Sequence, residues 1–107
     1  MSSKEVYNVV RLVPKPGKFK EVADSFAVLS KYVHENEPKT QVYFALQPEG
    51  TEEFVFVEKY ADEEAVKEHA ASNAFKKFAR SLAGALAEAP EIKKSAFVNG
   101  FEGREKL

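Results

Sequence analysis

Residues 54–57 (Phe54-Val55-Phe56-Val57) are apolar without alternation, and residues 42–46 (Val42-Tyr43-Phe44-Ala45-Leu46) repeat the pattern. Successive side chains on a strand point to opposite faces, so a strand with one face in water alternates apolar and polar residues. Two strands that are apolar at both parities must be covered on both sides. That requirement narrows the folds open to a chain of 107 residues, a length that fits one domain with one core. Nine Phe and four Tyr, with no Trp, make that core aromatic.

Residues 6–13 (VYNVVRLV) are rich in β-branched side chains and read as a strand, ended by Pro14-Lys15-Pro16-Gly17. From Lys18 the period changes. Phe19, Val22, Ala23, Phe26, Leu29 and Val33 recur every three or four residues, one stripe of a helix that Pro38 stops near residues 36–37. Residues 41–47 read as a second strand, residues 48–51 as a turn, and residues 53–60 as the hairpin partner. Asp62 is placed to cap a short helix whose inner stripe is Ala65, Val66, His69 and Ala70. Ser72 and Asn73 read as a break and a second cap, after which Phe75, Phe78, Ala79, Leu82 and Leu86 turn inward. Residues 92–101 read as a last strand and residues 102–107 as a loose polar tail.

The order β-α-β-β-α-β belongs to the α+β class. It predicts a ferredoxin-like, four-stranded antiparallel sheet with the helices on one face, a single domain over residues 1–107 with its core at 6–101. Helices then cover only one side of the two apolar strands. The expected cover for the other is a second copy packed sheet to sheet, a homodimer.

Composition excludes several classes. Lys and Arg total 16 against 17 Asp and Glu, so no basic face announces a nucleic-acid partner. With no Cys there is no disulfide, no thiolate nucleophile and no Cys-ligated metal. No apolar run approaches the roughly 20 residues that span a bilayer, so no membrane partner is expected. The first ten residues lack the layout of a secretory signal, and a cytoplasmic location is expected. His34 and His69 are far apart with no further ligand cluster, so no metal is expected. Phosphate-binding glycine loops and nucleophile elbows are missing from the sequence.

The candidate chemistry gathers around His69, which lies on the apolar side of its helix. An imidazole there is either a proton acceptor or a core histidine bonded to a backbone carbonyl. Glu58 shares a strand face with Phe54, Phe56 and Tyr60, where a carboxylate is costly unless paired. It can orient His69, act as a base itself, or reach solvent or a lysine. Tyr60 offers a ring wall and a phenol donor, or packs on the helix as a core aromatic. Arg80, just off the inner stripe, can pin an anionic oxygen or stand in solvent. Asn8 faces the same way as Val6, Val10 and Leu12, and its amide needs a partner: a ligand oxygen, a neighbouring strand or a buried water. Arg11, on the opposite face with Tyr7 and Val9, reads as a dimer-side residue paired to an acid of the other copy. His34 reads as solvated at a helix end.

Glu58-x-Tyr60 at a strand end, Asp62-Glu63-Glu64-Ala65, and His69-x-x-Ser72-x-x-Phe75-x-x-Phe78 together resemble the antibiotic biosynthesis monooxygenase (ABM) family. The Pro16-Gly17 turn, Glu37-Pro38 and Tyr43 are similar too, and the resemblance spans residues 6–101. It implies a dimeric α+β barrel with a substrate cavity between sheet and helices in each subunit. Members of the family include cofactor-free monooxygenases of anthrones and quinols, haem-degrading enzymes and an isomerase-like branch. The haem-degrading branch does not fit. Ala79 stands about where its ligating histidine would be, and His69 where its tryptophan would be. In the anthrone oxygenases, Tyr60 matches an aromatic lining position and Arg80 an arginine acting on the substrate, while Phe56 and Val66 replace a polar residue and a tyrosine.

The resemblance therefore implies catalytic roles for His69, Glu58 and Arg80 and a substrate lining of Asn8, Phe56, Tyr60, Val66 and Phe78, with no cofactor and no metal. The expected activity is cofactor-independent oxygenation of a small aromatic, a quinol, phenolic or anthrone-type polyketide. Two alternatives stand beside it: a non-catalytic ligand-binding or stress-associated dimer, and an isomerase or cyclase of a small carbonyl compound in the same cavity.

Overall fold

The computed structural model describes residues 4–104. The elements are β1 (Val6–Leu12), α1 (Phe19–Asn36), β2 (Thr40–Leu46), β3 (Phe54–Tyr60), α2 (Glu63–Ala71), α3 (Asn73–Ser81) and β4 (Glu91–Ser95). The strands form one antiparallel sheet in the order β2-β3-β1-β4. This is the α+β, ferredoxin-like arrangement, with the second helical unit split in two.

The split has a local cause. The Asp62 carboxylate accepts from the Ala65 N–H at 2.9 Å and starts α2. Ser72, in an extended conformation, closes α2 and caps α3, its Oγ accepting from the Phe75 N–H at 3.0 Å. The chain turns there and brings His69 and Phe75 to a centroid separation of 5.0 Å. After α3, Gly84 takes a φ of 77°, a conformation that favours glycine. The following residues dock on the end of β1: the Lys15 N–H donates to the Ala85 carbonyl at 2.8 Å, and the Ala87 N–H to the Val13 carbonyl at 2.7 Å.

The core fills the space between the sheet and the helices. Leu12, Val22, Phe54, Phe56 and Ala85 are buried. Phe19 stacks on Phe54 at 4.3 Å, and Phe26 packs against Phe56 at 4.7 Å. Each fully buried Val, Leu or Phe contributes about 1.5–3 kcal/mol relative to exposure.

Register decides what each face presents. One cross-strand row, Asn8↔Glu58↔Tyr43, joins three residues that all border the space under the helices. The adjacent row, Val9↔Val57↔Phe44, faces away, and a one-residue slip would exchange the two. The outer face remains apolar in this single chain, with Val9 38%, Phe44 44% and Leu46 54% exposed.

Two sequence expectations are corrected. The last strand ends at Ser95, not at residue 101. It pairs with β1 from Arg11↔Glu91 to Tyr7↔Ser95, and β1 begins at Val6, so little ladder remains for later residues. Phe97 instead stacks on Tyr7 at 6.3 Å. The tail is not loose at its start. Glu102 accepts from the Tyr7 hydroxyl and from Lys59 Nζ, the latter at 2.7 Å, while residues 105–107 lie outside the described residues. Arg11 finds its acids within its own chain, Glu53 at 2.9 Å and Glu88 at 3.0 Å. His34 is exposed in the last turn of α1. Among the described residues no helix is long and apolar enough to cross a membrane.

Candidate functional site

A cavity of about 420 Å³ lies between the inner sheet face and the helices. Its floor is built from residues of all four strands, Asn8 and Val10 of β1, Phe56, Glu58 and Tyr60 of β3, Tyr43 of β2 and Ile92 of β4. Val66 and His69 of α2 and Phe75 and Phe78 of α3 close it from above, with Phe26 of α1 at the side. The size suits a small organic ligand, and the wall is mostly aromatic and aliphatic. Among the described residues, neither Lys nor Arg borders it.

Two carboxylate-centred groups interrupt the apolar wall. In the first, the Tyr60 hydroxyl donates to Glu58 Oε1 at 2.7 Å. Burial raises the Glu58 carboxyl above its ordinary range, while the Tyr60 hydroxyl, nearby His69 and the Asn8 amide act to lower it. The Tyr60 phenol is itself pushed well up, first by burial and then by the Glu58 charge.

In the second, His69 is 4% exposed and both ring nitrogens are engaged. Nδ1 lies 2.9 Å from Glu37 Oε1, and Nε2 lies 3.2 Å from the Tyr43 hydroxyl oxygen. Glu37 closes the C-terminal end of α1, and Thr40 Oγ1 also donates to its Oε1 at 3.3 Å. Glu37 Oε2 is buried without a hydrogen-bond partner among the described residues, an arrangement that costs free energy. With Glu37 as a carboxylate, Nδ1 carries the proton and donates to it. Nε2 is then bare and accepts from the Tyr43 O–H. Burial, then the charges of Glu58 and Glu37, push the Tyr43 phenol far up, so it rests as a neutral donor.

The structure brings together His69, Glu58, Asn8, Phe56, Tyr60, Val66 and Phe78 on one cavity. Arg80 does not join them; it is exposed on α3 and does not border the cavity. His69 bonds to side chains, not to a backbone carbonyl. The carboxylate that holds it is Glu37, while Glu58 bonds to Tyr60. Sequence reasoning noted Glu37 and Tyr43 only as part of a family pattern and gave neither a role. The available signal was a Glu placed directly before Pro38, where the helix must stop and its last side chain can fold back. No group of three or more His, Cys, Asp or Glu among the described residues could hold a metal ion.

A ferredoxin-like sheet roofed by a broken helical unit, with an apolar cavity between them, defines a class of small α+β folds. The model of the antibiotic biosynthesis monooxygenase family matches residues 5–81, and the chain belongs to that family. A crystal structure of a proposed antibiotic biosynthesis monooxygenase from Caulobacter crescentus CB15 is 28% identical, with a TM-score of 0.85 over 91% of this chain and 92% of that one. A proposed antibiotic biosynthesis monooxygenase from Nitrosomonas europaea is 15% identical, with a TM-score of 0.84 over 92% and 94% of the two chains. A conserved protein from Methanosarcina mazei Go1 is 22% identical, with a TM-score of 0.79 over 86% and 91%. The last two likenesses concern the fold alone. No curated protein matches the sequence.

Proposed function

We propose that this chain is a monooxygenase that oxidises a small, uncharged hydroxyarene (a quinol, a phenol or an anthrone-type polyketide) with O₂ and without an added cofactor. The observation that carries the reading is a buried imidazole, held between the Glu37 carboxylate and the Tyr43 phenol, at the wall of an apolar cavity. Family membership supports the same class of reaction.

The chemistry asks three things of the protein. It must take a proton from the substrate, stabilise the oxyanion that forms, and exclude water. The phenolate or carbanion passes one electron to O₂, and the radical pair combines as a peroxide. One oxygen stays on carbon, the other leaves as water, and the substrate loses two hydrogens. His69 is the base of this scheme, and its imidazolium is stabilised by Glu37. Asn8 stands beside Glu58, where its amide can donate to a developing oxyanion, while Tyr60 gives its hydroxyl hydrogen to Glu58 and walls the cavity with its ring. A cavity bordered by the Glu58 carboxyl and, among the described residues, by neither Lys nor Arg favours a neutral guest.

The test is oxygen uptake by dialysed, metal-free and flavin-free protein with menadiol and anthrone. Turnover that His69→Ala abolishes supports the reading. Undiminished turnover in that variant rejects His69 as the base. A second reading is favoured by one observation: both nitrogens of His69 already have partners, as in a purely structural imidazole. A ligand-binding dimer without turnover would show His69→Ala lowering the melting temperature, with no oxygen uptake in either protein.

The homodimer belongs to the same proposal. The row Val9↔Val57↔Phe44 and exposed Leu46 form an apolar outer sheet face that a second copy would cover. Sizing at micromolar concentration tests it; Phe44→Glu with Leu46→Lys should shift a dimer to monomer, and a monomeric wild type would refute it.

A further inference from the structure

We infer that His69 does not meet the substrate directly but works through Tyr43, and that Glu37 is the positioning residue that fixes the direction of proton flow along Glu37–His69–Tyr43. The inference rests on the oxygenase reading for its substrate, but its geometry stands independently. Nε2 is the only imidazole nitrogen left to act as a base once Nδ1 faces Glu37, and the Tyr43 hydroxyl sits on it at 3.2 Å. Tyr43 also borders the cavity. Its hydroxyl therefore spends its hydrogen on His69 and keeps its oxygen lone pairs for a donor from the cavity side.

The step balances without any further reactant. The substrate O–H proton moves to the Tyr43 oxygen as the Tyr43 proton moves to His69 Nε2. The products are a substrate phenolate, a neutral Tyr43 and an imidazolium paired with the Glu37 carboxylate. Tyr43 never has to exist as a phenolate, which suits a phenol that burial and two nearby carboxylates hold strongly protonated. The groups that face His69 are consistent with this polarity. Tyr60 lies at 5.6 Å and Phe75 at 5.0 Å between centroids, and neither takes its nitrogens. The acidic groups near the ring are Glu37, bonded at Nδ1, and Glu58.

Glu37 Oε2 supplies an independent reason to assign a role to this carboxylate. Among the described residues this buried carboxylate oxygen has no donor, which costs free energy. Left unpaired, its charge is available to the imidazole at Nδ1, where it stabilises the protonated ring formed during transfer.

Two measurements decide the matter. ¹⁵N NMR of the histidine ring in the wild-type protein reads the tautomer without any substrate. A neutral ring protonated on Nδ1 is expected, and a ring protonated on Nε2 overturns the relay. The second measurement follows ionisation of bound 2-naphthol by absorbance under anaerobic conditions, with wild type, Tyr43→Phe and Glu37→Gln. The wild type should hold a naphtholate fraction that both variants lose, with naphthol affinity changed less than about threefold. In aerobic turnover, both should lower kcat about a hundredfold while KM stays within about threefold, the scale of a lost general base. Variants that ionise naphthol as well as wild type overturn the relay. Absence of oxygen uptake or naphthol binding in the wild type refutes the oxygenase reading alone, and the ring tautomer still decides the geometry.

Discussion

Tyr60→Phe isolates one hydroxyl at a site where the ring cannot be spared. Tyr60 is 1% exposed and packs with Val6 and Ala65, contacts that Phe retains. What is lost is the O–H donated to Glu58 Oε1 at 2.7 Å. A hydrogen bond to a charged group contributes about 1.5–3 kcal/mol, and one between neutral groups about 0.5–1.5 kcal/mol. The loss therefore depends on whether Glu58 is ionised. Its folded carboxyl holds a proton more tightly than an unfolded one, because burial outweighs the lowering effects of Tyr60, His69 and Asn8. Such a group contributes stability that is fully present below the ordinary carboxylate value, about pH 4, and lost as pH rises through its raised folded value. Removing the Tyr60 hydroxyl raises that folded value further and deepens the loss at neutral pH. Urea unfolding should give a destabilisation of about 1.5–3 kcal/mol at neutral pH, shrinking toward about 1 kcal/mol near pH 4. In a domain of this size the neutral-pH effect is on the order of 10 °C in Tm. Protein concentration must be held constant, because association would add to both values. Equal destabilisation at the two pH values, or a variant as stable as wild type at neutral pH, would refute the account of Glu58.

The other predictions are simpler. Ser72→Ala removes the side-chain cap of α3 and should cost about 1 kcal/mol in denaturant unfolding, whereas Ser72→Asp should retain most of the stability. Arg80→Ala, at an exposed position away from the cavity, should change stability by less than about 0.5 kcal/mol and leave turnover within about twofold; a large loss of kcat would restore a role for it. Calorimetric titration should show that adding a carboxylate to a naphthol ligand weakens binding at least about tenfold at neutral pH, because the apolar cavity offers the anion the Glu58 carboxyl and, among the described residues, neither Lys nor Arg.

Much of the fold was legible because local chemistry and pattern agreed. The stripe Phe19-Val22-Phe26-Leu29-Val33 announces α1, and the caps at Asp62 and Ser72 sit where their side chains were expected to act. The excess length assigned to β4 came from Phe97, Val98 and Phe101, apolar residues that suit a strand but have no partner once β1 begins at Val6. Part of the site was legible for the same reason: period two places Phe56, Glu58 and Tyr60 on one face. The partner of His69 was not. Glu37 lies 32 residues away, and only packing of the α1 terminus against α2 brings them together. Tyr43 was obscured by its own strand, whose apolar residues at both parities hide which ones turn inward. Arg80 is the opposite case, exposed and away from the cavity. Its place in a family pattern suggested chemistry, while its position off the α3 stripe already pointed toward solvent.

The row Asn8↔Glu58↔Tyr43 places its side-chain oxygens and nitrogens at a single level across three strands, and aromatic and aliphatic side chains dominate the rest of the chamber. A guest would consequently be read at its head and hardly at all along its body. Hydrocarbon walls separate molecules that differ by one methylene only about 10–200-fold, whereas buried polar groups built to pair with a hydroxyl reject a partner lacking it about 10⁴-fold. A chamber of this shape would be strict about a functional group and tolerant about the skeleton that bears it.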